Sequence, residues 1–184
     1  MTNKLLVHCC CVHCSAYTLN YWREQGYDVT SFWYNPNIHP STEHQLRLEA
    51  LETLAKQENI PLLINPGYEI ERYFQAVVGH EKKTDRCIYC YRIRLQAVSD
   101  YARQHGFDSF TSTLLISPKQ QHERILNVAL EIQQSSGINF LYADLRKRYS
   151  DGRKITKPME LYRQQYCGCL FSEWERYGKE TKRE

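Results

Sequence analysis

The sequence has no apolar run near the ~20 residues that a membrane-spanning helix requires. A secretory leader is not expected either. The N-terminal apolar run covers only residues 5–7, His8 and His13 interrupt the cysteines behind it, and an amphipathic stretch follows at once. There is no internal repeat and no low-complexity segment. The net charge of +3 is mild, so charge alone does not commit the chain to nucleic acid. The most telling absence is glycine from the turn that follows the first apolar run, residues 8–15, where a nucleotide-binding α/β protein brings backbone N–H groups up to a pyrophosphate. Cysteine is also absent from most of the chain: all eight residues fall into three clusters and none is scattered.

What remains is a soluble globular composition, 42% hydrophobic and 24% charged over 184 residues, enough for one domain with a real core. A cytoplasmic chain with no membrane partner is the expectation. In a reducing compartment clustered cysteines serve as ligands or redox groups rather than as a disulfide framework.

The stretch LLVHCCCVHC organises the chain. A buried strand over residues 4–9 ends in Cys9, Cys10, Cys11 and Cys14, and a helix over 14–25 follows, with Ser15 read as its cap. Strand-like residues 29–34 come next, then a stiff Asn-Pro-Asn and His-Pro loop. A helix opened by a Thr42-x-x-Gln45 capping box precedes a short strand, Leu62–Ile64. A further helix runs from Ile70 to Gly79, and another from about Cys87 to Gln104, so that Cys87 and Cys90 stand at a helix N-terminus whose dipole lowers a thiol pKa. Residues 109–116 read as a strand, Ser117-Pro118-x-Gln120 as a helix start, and 138–143 as the fifth strand. A short helix over 158–165 precedes Cys167-Gly-Cys169 and a charged tail. Trp22, Trp33 and Trp174 read as packing residues. The alternation gives a three-layer parallel α/β sheet, Rossmann-like and resembling the nucleotide α-hydrolase type, with a C-terminal helical Cys-x-Cys segment. It is one domain over 1–184, with an α/β core over 1–145 and a basic loop and metal-binding segment over 146–184.

Cys-x-x-Cys alone fits iron–sulfur, zinc or dithiol chemistry. Three clusters meeting at one end of a parallel sheet are more specific. A structural zinc or one [4Fe–4S] cluster takes four ligands, so eight thiols imply a second metal or a redox dithiol beside the first site. Spacing does not separate iron from zinc. Arg146, Lys147, Arg148, Arg153, Lys154 and Lys157 lie close together, opposed only by Asp151; taken alone they read as a solvated loop.

Five ordered blocks resemble the QueH-type epoxyqueuosine reductases. They are Cys10-Cys11-Val12-His13-Cys14-Ser15; Phe32-Trp33-Tyr34-Asn35-Pro36-Asn37-Ile38-His39-Pro40 with Glu43 and Arg47; Arg86-Cys87-Ile88-Tyr89-Cys90-Tyr91 with Arg94-Leu95; Thr111-Ser112-Thr113-Leu114-Leu115-Ile116-Ser117-Pro118; and Leu161-Tyr162-Arg163-Gln164-Gln165-Tyr166-Cys167-Gly168-Cys169. Cys9 is extra, His13 stands where proline is common, and some members carry Asp at the position of Cys14. The resemblance implies a reductase acting on tRNA that carries epoxyqueuosine, using a [4Fe–4S] cluster and an adjacent iron ion, fed by an unidentified electron donor. It places Cys10, Cys11, Cys14, Cys87, Cys90, Cys167 and Cys169 as ligands to the two centres, undivided. Under it the basic segment and Arg163 become tRNA contacts, with Arg86 and Arg92 as further candidates, and His8, His13 and Tyr166 are candidate proton donors by proximity. Other classes stay open: an ATP-dependent PP-loop-like tRNA-modifying enzyme, recognised by pyrophosphate release; a non-catalytic zinc-binding nucleic-acid module, recognised by colourless zinc protein; and a metal-free dithiol oxidoreductase.

Overall fold

The computed structural model describes residues 3–178. Five parallel strands, β1 (Lys4–Cys9), β2 (Asp28–Trp33), β3 (Leu62–Ile64), β4 (Ser109–Ser112) and β5 (Asn139–Phe140), form one sheet in the order β3-β2-β1-β4-β5. Both faces of β1 are covered, so five of its six residues are buried. Leu5 and Val7 pack with α1 (Val12–Glu24) and α2 (Ser41–Gln57). Leu6 packs on the opposite face with α4 (Lys83–Gln104) and α5 (His122–Ser136). Between α2 and α4 the chain forms α3 (Ile70–Val77). This is the expected three-layer α/β fold. Strand order reverses between β1 and β4, where doubly wound sheets bind ligands beyond the strand carboxyl ends. His8 pairs with Ser112 and Cys9 with Trp33 in the ladder, so β1, β2 and β4 leave the sheet at one level. No described helix is long and apolar enough to cross a membrane.

Several elements depart from the sequence reading. Helix α1 begins at Val12, so Ser15 is inside it; its hydroxyl donates to Cys11 O at 2.8 Å and Cys11 is the N-cap. Helix α2 begins right after Pro40 with no side-chain cap, and Gln45 bonds Glu49 instead of closing the box. The strand expected over 109–116 stops at Ser112, whose hydroxyl accepts from Leu114 N and turns the chain into a 3-10 segment, Thr113–Ile116. The helix expected from Ser117 starts at His122, because the Ser117 hydroxyl takes up Lys119 N in a local turn. The fifth strand is only Asn139–Phe140.

The basic segment is folded rather than a solvated loop. A 3-10 turn, Arg146–Arg148, leads into helix α6 (Tyr149–Thr156), with Asp151 in its first turn bonded to Arg148 and Lys154. Gly152 makes its docking on α1 possible: a Cβ there would lie 2.0 Å from His13 O. The helix expected over 158–165 is a 3-10 turn, Lys157–Met159, followed by irregular chain through Cys169, and a last helix, α7 (Leu170–Tyr177), follows the cysteines. Trp22 and Trp33 are core residues, but Trp174 is 66% exposed. The end of the charged tail, residues 179–184, lies outside the described residues.

Candidate metal centre

The three clusters meet at the carboxyl edge of the sheet as two groups. Cys10, Cys11 and Cys14 lie where β1 turns into α1. Cys10 N donates to Thr113 Oγ1 at 3.3 Å, which ties the turn to the end of β4 across the switch point. Cys11 and Cys14 are buried against Ile116 and Leu145. The Cys10 thiol is pushed well above its ordinary value, first by its hydrogen-bonded neighbour Cys11 and then by burial. Cys11 is drawn down by Cys10 but carried well above the ordinary value by Cys14 and burial. These three thiols therefore act on one another. Cys9 faces away: it is buried, its thiol bonds Val7 O, and burial pushes it up to about 12.

The second group joins Cys87 and Cys90 on α4 to Cys167 and Cys169. The chain enters α4 at Lys83, so Cys87 sits in the second turn and Cys90 in the third, past the reach of the helix N-terminus. The expected lowering of their pKa values is overturned. Burial pushes Cys87 up to about 11, with Cys167 the next contributor, and burial raises Cys90 further, with Cys169, Cys167 and Cys87 adding to it. Tyr73, Val77, Phe74 and Phe171 pack around Cys90 and Cys169. Cys167 is exposed, and Gln120 Nε2 donates to its sulfur at 3.4 Å while Tyr91 holds Gln120 Oε1.

The Cys-Gly-Cys loop is held by a buried clamp. Arg47, 1% exposed, pairs with Glu43 at 2.7 Å and donates to Cys167 O and Tyr166 O, both at 3.1 Å. Tyr162 donates to the other oxygen of Glu43, and Tyr166 to His39 O. Gly168 has φ +147, and a Cβ there would meet Asn37 Nδ2 and Ile38 Cγ1 at 3.2 Å.

Among the described residues no three thiol, imidazole or carboxylate side chains already converge as a single-ion site. A cubane cluster takes each thiolate at a different iron, so its ligands stand farther apart than those of one ion. The surroundings of the second group fit such an anionic body. Tyr73 Oη and Arg86 Nε are buried without a hydrogen-bond partner, and both are in electrostatic contact with the thiols: Tyr73 with Cys90 and Cys169, Arg86 with Cys169 and Cys87. Buried donors without acceptors are costly, and sulfur-rich anions accept such bonds. Burial alone would lower the buried Arg94 guanidinium, but Cys90, Cys10 and Cys167 hold it above its ordinary value. None of these three donors was visible as such in sequence. For Arg94 the only signal was its place one turn beyond Cys90 on the same helix face.

The candidate proton donors separate. His8 is fully buried between Ser112 Oγ and Tyr34 O, and burial with the Arg94 charge takes it down to about 3. Tyr166 is committed to His39 O. His13 bonds the Thr156 hydroxyl through Nδ1, its Nε2 is buried without a partner, and burial followed by Arg163 and Arg153 lowers it. Of the basic residues, Arg146 is bound to Asp144, and Arg148 and Lys154 to Asp151. Lys147, Arg153, Lys157 and Arg163 make no ion pair among the described residues.

Fold and site together define a class: a Rossmann-like α/β layer that carries thiols at the turn where nucleotide-binding α/β proteins carry glycines. A solved structure from Methanocaldococcus jannaschii, named as a predicted subunit of tRNA methyltransferase, shares the fold at TM-score 0.56 and 13% identity, over 84% of this chain and 76% of its own. The family model for epoxyqueuosine reductase QueH matches residues 5–175, and the chain belongs to that family. Proteins of that name from Dehalococcoides mccartyi and Thermotoga maritima are 50% and 32% identical to it; the first alignment covers 97% of both chains, the second 97% of this chain and 94% of the relative.

Proposed function

We propose that this chain is an oxidoreductase that reduces epoxyqueuosine in tRNA to queuosine. The match of nearly the whole chain to reductases of that name carries the reading. Removing the epoxide oxygen as water leaves a carbon–carbon double bond and consumes two electrons and two protons. Cys10, Cys11, Cys14, Cys87, Cys90, Cys167 and Cys169 together would hold a [4Fe–4S] cluster and an adjacent iron ion. The mutual influence of Cys87, Cys90, Cys167 and Cys169 supports these four as cluster ligands, while among the described residues Cys10, Cys11 and Cys14 do not by themselves converge on one ion. Bound there, the cluster supplies electrons singly and the iron a Lewis acid for the epoxide oxygen. Electrons come from a donor outside the chain.

The protein's own part is to hold and shield. Arg47 and Glu43 fix the Cys167–Cys169 loop, and Gln120 covers the exposed Cys167 sulfur. Lys147, Arg153, Lys157 and Arg163, free of ion pairs among the described residues, are the tRNA phosphate contacts of this reading, with Arg153 and Arg163 both close enough to act on His13. The absence of glycine at the β1–α1 turn speaks against the ATP-dependent alternative. The test is turnover of epoxyqueuosine-containing tRNA by anaerobically reconstituted protein with a chemical reductant. Conversion by wild type, and its loss with that of iron in Cys90→Ser, supports the reading. Full conversion by a protein holding only zinc refutes the metal assignment, and no conversion by fully iron-loaded protein refutes the substrate.

A further inference from the structure

Three arginines are buried: Arg47 at 1% exposed, Arg94 at 2% and Arg86 at 3%. The chain gives two of them a carboxylate, Glu43 for Arg47 and Glu175 for Arg86. Arg94 has none among the described residues. Its Nε donates to Cys90 O at 3.0 Å, one turn back on α4, and its guanidinium stands 5.8 Å from the Tyr91 ring. Its charge is felt at Cys10 of the first thiol group and at Cys87, Cys90 and Cys167 of the second. A buried guanidinium held on the carbonyl of Cys90 thus lies within electrostatic reach of thiols of both groups. A buried cation without a counter-charge costs several kcal/mol, and the chain avoids that cost at its two other buried arginines.

We propose that Arg94 is the built-in counter-cation of the metal centres, a positioning residue that faces both thiol groups and sets the reduction potential of the cluster. The proposal rests on the metal reading above. A fixed positive charge beside a cluster favours the reduced, more negative state, because net charge and hydrogen bonds to sulfur set such potentials. Arg94 acts on the ligands rather than the substrate, so its effect is on electron affinity.

The experiment compares wild type, Arg94→Lys and Arg94→Met after anaerobic loading with iron and sulfide. Iron and sulfide content come first: wild type that binds none overturns the metal reading itself. With wild type loaded, the midpoint potential is read by spectroelectrochemical titration. Arg94→Met is expected to lower the one-electron reduction constant at least tenfold, about 59 mV, while Arg94→Lys, which keeps the charge, remains closer to wild type. Equal potentials in wild type and Arg94→Met, or equal shifts in both variants, overturn the proposal. Should Arg94→Met hold no iron, the metal-free proteins decide. Metal-free Arg94→Met should melt above metal-free wild type, since an unpaired buried charge is gone. A lower melting temperature makes Arg94 an ordinary structural residue and overturns the proposal.

Discussion

Replacing Arg47 with Met should unfasten the Cys167–Cys169 loop and destabilise the fold together. Arg47 makes an ion pair at 2.7 Å and two bonds to loop carbonyls at 3.1 Å from a buried position. Methionine fills much of the volume but leaves Glu43 buried with only Tyr162 as partner. Breaking one side of a buried pair costs about 3–5 kcal/mol, because the remaining charge is stranded. The two freed carbonyls lie in a partly solvated loop and add little. At about 2–4 °C per kcal/mol for a chain of this size, the melting temperature should fall by roughly 6–20 °C. Urea unfolding of the metal-free protein measures this without interference from the cofactor. The double variant Glu43→Leu with Arg47→Met should recover most of the loss, since removing both charges removes the stranded one. A loss under ~1 kcal/mol for Arg47→Met, or a double variant no better than the single, would refute the clamp.

Gly168→Ala should keep the fold and lose iron: φ +147 suits glycine, and the added Cβ would press on Asn37 and Ile38 at 3.2 Å, a local strain of about 1–3 kcal/mol at the ligand loop, read by iron content against circular dichroism. The His44 imidazole accepts from Trp33 Nε1 at 3.1 Å and is taken down from 6.5 to about 4 by burial, then by Arg47. The unfolded chain takes up that proton below 6.5 and the folded one only near 4. Stability from this group is complete above 6.5 and declines as pH falls toward 4, by at most about 1.4 kcal/mol per pH unit. His44→Gln keeps the acceptor and should flatten this decline in urea titrations between pH 7 and 4; an unchanged slope contradicts it. Alanine at Arg153 or Arg163 should make tRNA binding less salt-dependent, shrinking the log–log slope by about 0.7–0.9 for each phosphate no longer neutralised. Alanine at Arg146, already bound to Asp144, should change it less. Equal effects at all three, measured by fluorescence anisotropy against salt, would contradict that ranking.

The parallel α/β layers were legible because both faces of β1 are buried, which gives it an unbroken apolar run over Leu5–Val7, and because the helices that cover it carry apolar stripes. The element ends were not. Ser112 and Ser117 redirect the chain through hydroxyl-to-backbone bonds that look like ordinary strand and cap residues until partners are known. Helix α6 was hidden because six basic residues read as solvated, while the feature that docks it is the missing Cβ of Gly152 against His13 O. At the site, the cysteines and their convergence were legible. Their grouping was not, since it depends on which face of α4 meets the C-terminal loop. The supporting donors were silent for the same reason: Arg94, Tyr73 and Arg86 resemble surface or core residues until their burial is known, with the Tyr73 hydroxyl and Arg86 Nε unsatisfied and Arg94 lacking a carboxylate among the described residues.

The central claim is tested most directly by iron and sulfide analysis of anaerobically reconstituted protein, with single-turnover conversion of epoxyqueuosine-containing tRNA on the same sample. The account predicts more iron than a four-iron cluster requires, about four sulfides per chain, and queuosine as product. Protein that takes up zinc alone under strictly anaerobic conditions and forms no queuosine would contradict it.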